Sequence, residues 1–189
     1  MPDKETFVVN EACGECHACC RALIIDEQEL QKLAGTLCAN CRGEAGCAVY
    51  HTRPKTCRDF HCGWRMLPLP EEWRPDRCQI MLTQEPADPE KGITEAWKFH
   101  FFGSLDKIFW RPFILFASSL LAANKPVYIS IPGKPGHYAR MMAIMPEPDL
   151  VEAIRQWNYA AVVGIVAGLI QTCLEAEDEP VAFRTISIQ

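Results

Sequence analysis

"CGECHACCRAL", residues 13 to 23, places four thiols close together and ends them with an adjacent pair, Cys19 and Cys20. Cys13, Cys16 and Cys19 follow C-x2-C-x2-C, a spacing in which one loop supplies soft ligands to a metal or cluster and a further ligand comes from elsewhere. The x3-C-P that follows in bacterial ferredoxins is missing, because Cys20 comes at once. Neighbouring residues point to opposite faces of a strand and diverge by about 100° on a helix. Cys19 and Cys20 are therefore expected to serve two adjacent centres, or different atoms of a polynuclear one. A segment built this way is expected to be turns and loops gathered around something other than an apolar core.

Outward from that stretch, ten of the eleven cysteines lie between Cys13 and Cys78, and the last is Cys173. The start, "MPDKETFVVNEACG", has neither the basic stretch nor the apolar run of an export signal. The expectation is a cytoplasmic protein with reduced thiols, in which dense cysteines mean metal binding or redox chemistry rather than a disulfide scaffold. The net charge of −5 gives no reason to expect nucleic-acid binding. The longest apolar run, residues 160 to 170, is too short for a membrane span and is expected to be a helix buried in the protein.

The chain of 189 residues reads as α+β: a cysteine-rich, loop-dominated module over residues 1–70, packed on a small α+β body over residues 71–189. Within the module, Asp26 to Gly35 has the cap and stop of a helix. In the body, "QIML" and "ITEAWKFHFF" read as strands on either side of the turn-forming "EPADPEKG". "RPFILFASSLLAAN" opens with Pro112 at a helix-start position, and "PVYISI" alternates as a strand. One long helix is expected from near Pro148 to about Glu175, and "VAFRTISI" reads as a last strand.

Further thiols continue the opening pattern: Cys38 and Cys41 form a CxxC, Cys47 follows, and "RPKTCRDFHC" supplies Cys57 and Cys62. "CGECHACC" followed by "CANCRGEAGCAVYHTRPKTCRDFHC" resembles the zinc- or iron-chelating cysteine-cluster family (YkgJ-type). That family's pattern is similar to C-x2-C-x2-C-C, then C-x8-C-x-[IV]-Y-x2-R-P-x2-C-R-x3-C. Carried over by position, the resemblance implies Cys13, Cys16, Cys19, Cys20, Cys38, Cys47, Cys57 and Cys62 as ligands of zinc or iron, including iron in an iron–sulfur cluster. Eight thiolates divide into two sets of four. Cys41 stands where the family usually has an apolar residue, so the choice between Cys38 and Cys41 stays open. Flagellin lysine methylases share a similar cysteine cluster, which sets an iron–sulfur enzyme of electron or methyl transfer beside simple chelation. Such an enzyme calls for a substrate cleft between module and body. A third alternative is an interaction module whose loops are held together by closed zinc sites.

Several residues carry plainer expectations. Cys78 and Cys173 read as ordinary buried thiols. Pro54 and Tyr50 shape the loop, while Arg53 and Arg58 bond carbonyls or offset thiolate charge. His17 and His61 read as exposed or supporting groups beside ligands. Residues 133 to 142, with Lys134, His137 and Arg140, read as a flexible loop without P-loop spacing. Trp97, Phe99, Phe101, Phe109 and Trp110 read as core. No G-x-S-x-G, H-E-x-x-H or G-x-G-x-x-G is present, so hydrolase, zinc-protease and dinucleotide chemistry lack a motif.

Overall fold

In "AWKFHF", every second side chain is a large aromatic, and the structure turns that alternation into a central strand with one apolar face. The computed structural model describes residues 9–10, 13–86, 93 and 95–183. Strand β3 (Ile80–Glu85) pairs antiparallel with β4 (Ala96–Phe101), setting Leu82 opposite Phe99. Strand β4 then pairs parallel with β5 (Val127–Ile131), and β5 pairs antiparallel with β6 (Arg140–Ile144), giving the order β3-β4-β5-β6. A parallel pair needs a crossover, and helix α5 (Arg111–Ala122) supplies it with Pro112 in its first turn.

Helix α5 buries Phe113, Ile114, Ala117, Leu120 and Leu121, a spacing that lays one stripe against the sheet. Phe113 meets Phe99 and Phe101 edge-on, with centroids 5.1 and 5.2 Å apart. Such pairs add about 0.5–1.5 kcal/mol each beyond the area they bury. Trp97, Phe99 and Phe101 are buried as expected, but Phe109 is exposed, because it ends a 3-10 turn outside this stack. The opposite face of β4 carries Lys98 and His100, so one side of the sheet is polar at its centre.

Four other expectations change. Asp26 to Gly35 is no helix: β1 (Ile25–Glu27) and β2 (Leu30–Lys32) form a hairpin, and Asp26 accepts from Gln31 Nε2 across it at 2.9 Å instead of capping. Lys32 explains the preference, since strand alternation carries its side chain inward to a cluster of carbonyls. The long C-terminal helix is two helices, α6 (Pro148–Arg155) and α7 (Tyr159–Glu175). They break where Trp157 takes a φ of 57° and the Asn158 side chain accepts from the Ala161 N–H, an N-cap that restarts the helix. Helix α7 buries only the stripe of Val162, Val166, Ile170 and Cys173, while Ala160, Gly164 and Gly168 on its other side are exposed. The segment 133–142 is a loop only as far as residue 139, because Arg140 opens strand β6. Of the last expected strand, residues 181–183 are irregular and the remainder lies outside the described residues, as do residues 87–92 of the expected turn.

The cysteine-rich part consists of four-to-five-residue helices and turns. Helices α1 (Cys19–Ala22), α2 (Lys55–Asp59), α3 (Gly63–Met66) and α4 (Pro75–Cys78) are its regular pieces besides the hairpin. Ala22, Cys62, Trp64 and Trp73 join the same buried cluster as the sheet, so the two parts share one core. Gly63 makes that junction: a Cβ there would lie 2.6 Å from the Leu82 side chain, so only glycine lets α3 approach β3 so closely.

Candidate metal centre

Backbone bonds draw the thiol-bearing loops together. Gly14 takes a φ of 56°, which folds the chain so that the Cys16 N–H reaches the Cys13 carbonyl at 3.1 Å. A turn at His17 begins α1 and puts Cys19 and Cys20 on successive positions of it. The Cys38 N–H donates to the Cys20 carbonyl at 2.9 Å, and Cys41 forms an isolated bridge with Cys47. Cys57 rides on α2 after Pro54, and Cys62 caps α3.

Two cavities result. One, of about 130 Å³, is lined by Cys19, Cys20, Cys38, Cys47 and Cys57; the other, of about 60 Å³, by Cys13, Cys16, Cys19, Cys57 and Cys62. All eight residues named from the sequence line one or both, whereas Cys41, Cys78 and Cys173 line neither. Cys41 is nonetheless within bonding reach of Cys20 and is buried, so it stands immediately behind the first cavity. Among the described residues no group of three or more His, Cys, Asp or Glu side chains stands ready to hold a metal ion. The thiols surround the cavities without forming a finished shell.

Five of these thiols are shifted toward the protonated form. Burial pushes Cys16 up to about 12, and burial also raises Cys41, Cys57 and Cys62. Cys20 is raised first by its hydrogen bond with Cys19 and then by burial. Asp76 bonds the Cys16 thiol and is itself held in a two-pronged pair with Arg74, both contacts at 2.8 Å.

Two cations shape the centre. Lys32 is only 5% exposed, and its ammonium donates to the carbonyls of Arg21, Leu33 and Thr36 at 3.1–3.2 Å and to that of Leu23. It thereby satisfies carbonyls at the end of α1 and ties the hairpin to the thiol loops. Burial lowers its pKa, and the nearby thiols of Cys38 and Cys20 oppose that. Arg53 lines both cavities and lies over the Tyr50 ring, 4.0 Å from its centroid. Its Nε is buried without a hydrogen-bond partner among the described residues. Arg58 donates to the Arg53 carbonyl. His17 and His61 are half-buried and bond the carbonyls of Glu15 and Asp59, and neither lines a cavity. Cys78 is buried against the Ile80 carbonyl at 3.1 Å and, like Cys173, belongs to the core.

The sequence left Lys32 and Asp76 unmarked, since neither belongs to a motif. Between Ala22–Ile24 and the polar face of the sheet lies a cleft of about 700 Å³, and the sequence left its lining residues Lys98, His100 and Ser130 unmarked. The alternation of "KFH" in β4 was the available signal. Leu23 and Ile24 line both this cleft and the larger thiol cavity. No helix among the described residues is long and apolar enough to cross a membrane. No family model, curated protein or solved structure matches the chain.

Proposed function

We propose that this chain is a metal-binding protein whose eight cysteines chelate zinc or iron at two neighbouring sites. The observation that carries the reading is that all eight line two adjacent cavities of about 130 and 60 Å³. Spaces of this size hold a few water-sized bodies at about 30 Å³ each, well below the roughly 300–1,000 Å³ of organic-ligand pockets. The donor set fits the group, because the two cavity linings offer soft thiols and no carboxylate or imidazole, which suits zinc or iron–sulfur chemistry. Cys20, Cys38, Cys47 and Cys57 would hold one site, and Cys13, Cys16, Cys19 and Cys62 the other, with Cys41 the alternative to Cys38. Zinc would cross-link the loops, and an iron–sulfur cluster would in addition carry electrons. Arg53, between the cavities, offsets the negative charge that thiolates bring.

Anaerobic purification with metal and acid-labile sulfide analysis, and an absorption spectrum of the same sample, tests this. Iron with sulfide, or about two zinc ions as two four-cysteine sites require, is the expected result. A folded protein without bound metal would overturn it. Cys57→Ser is expected to lower the metal content, and an unchanged content would remove Cys57 from the ligand set. A second reading, an iron–sulfur enzyme of electron or methyl transfer, is favoured by the cleft that shares Leu23 and Ile24 with the thiol cavity.

A further inference from the structure

On the helical side of the sheet an apolar groove of about 310 Å³ lies between α5, α6 and the first turn of α7. Its lining includes buried Ile114, Ala153 and Val162, together with Leu115 and Tyr159, which are 44% and 41% exposed. Trp157, 86% exposed, completes it. That tryptophan holds a φ of 57° and donates its backbone N–H to the Ile154 carbonyl at 3.0 Å, so it is the left-handed residue that closes α6. Glycine or asparagine is usual at such a position, because a side chain there crowds the backbone. A bulky aromatic that is both strained and left in water marks a position kept for a purpose other than folding the monomer.

The helices on either side of the groove carry no charge. Residues 112–124 and 156–174 contain no Asp, Glu, Lys or Arg, in a chain where these make up 23% of the residues. Burial does not account for this, since Leu115, Ser119 and Ala122 of α5 and Tyr159, Ala160 and Gly164 of α7 are exposed. Exposed helix positions ordinarily hold charged side chains, whereas loss of charge around an exposed aromatic is the composition of an interface centre. The same face supplies a projecting indole and a hollow, which is what a two-fold contact between identical surfaces requires. Its charges are self-complementary as well. Arg155 is the one charged residue that lines the groove, and Glu152, a turn earlier, is exposed and bonded by Gln156 Nε2 at 2.7 Å rather than by Arg155. A two-fold axis beside Trp157 sets Arg155 of each copy against Glu152 of the other.

We propose that this face is the contact surface of a homodimer, in which a second copy of the chain seats its Trp157 in the groove and receives this copy's Trp157 in its own. The assignment is independent of whether the cysteines hold metal, since every residue lining the groove belongs to α5, α6, α7 or the turn between the last two.

The test is sedimentation equilibrium of the full chain as purified, under reducing conditions that exclude disulfides between copies. A monomer–dimer equilibrium is expected, with dimer predominant by about 100 μM, the range of a modest protein–protein affinity. Trp157→Gly is expected to weaken it about thirtyfold or more, as loss of a central tryptophan does. The stability of the variant monomer is expected to hold or rise, because glycine suits a φ of 57°. Arg155→Glu and Glu152→Arg are each expected to weaken the dimer by setting like charges together, and the two combined to restore it. A chain that stays monomeric, a dimer that Trp157→Gly leaves intact, or a charge exchange that fails to restore association would overturn the assignment. So would a monomer that dimerises only after residues 184–189 are removed, which would seat that segment in the groove instead. Metal content is measured separately on the same samples, so a failure here leaves the chelation reading standing, and the reverse.

Discussion

The largest fully buried side chains of this protein all lie from Ile80 onward: Phe99, Phe101, Phe113, Ile129, Ile144 and Leu150 are among them. In the thiol-bearing stretch from Cys13 to Cys62, the buried residues include Ala18, Ala22, Cys38, Cys41, Cys62 and a lysine. One half is held by apolar burial and interlocked rings, the other by backbone bonds between loops and a buried ammonium, with thiols that form no disulfide. At about 25 cal/mol per Å², small side chains bury too little apolar surface to offset the entropy of ordering loops. The comparison teaches that the cysteine-rich half has less apolar burial to hold it than the sheet has, and this is where the proposed metal would act.

The sharpest way to break that contrast is to remove metal. Structural zinc contributes on the order of 10 kcal/mol to the folding of small modules. Chelation is expected to abolish amide protection over residues 13–62 while leaving that of β3 to β6 and α7 in place, read by hydrogen exchange. Loss of protection throughout, or nowhere, would show that the two halves are not differently held.

The body responds to the opposite perturbation. Phe99→Ala removes a fully buried ring packed against Phe113, Phe116 and Trp73, and is expected to cost about 3–5 kcal/mol in denaturant unfolding. Metal content per folded molecule is expected to stay unchanged, so a variant that lost metal while its sheet stayed folded would dissolve the distinction.

The smallest effect is that of pH on the metal-free protein. Burial raises the folded-state pKa of Cys16, Cys57 and Cys62 above the unfolded value near 9.0, with Cys16 at about 12. The folded state then holds more protons than the unfolded one above pH 9.0, so stability present below that pH falls as it rises toward 12. Under reducing conditions, protection of residues 13–62 is expected to decline as pH rises from 9.0 toward 12, and that of the sheet to hold. Metal binding displaces the same protons, so metal affinity is expected to increase with pH over the neutral range. A metal-free module that grew more stable with pH would contradict the packing of these thiols.

The sequence by itself determined the elements whose pattern is local. The aromatic alternation in β4, the β-branched run of β5 and the Pro112 start of α5 each satisfy their own geometry, and the α+β class follows from them. The family resemblance named eight cysteines, and all eight line one or both of the two cavities. Tertiary structure alone decided the rest. Residues 26–35 carry helix-compatible caps, but a buried ammonium among four carbonyls is worth more than a cap, and those carbonyls come from the segments on either side of the hairpin, Arg21 and Leu23 before it and Leu33 and Thr36 after it. The break at Trp157 rests on one asparagine cap inside an otherwise continuous apolar pattern. Strand β6 exists because β5 offers it an edge, which no local signal announces. The cleft joins β4, β5 and β6 to a loop far away in the chain, and three-dimensional proximity of that kind has no counterpart in residue spacing.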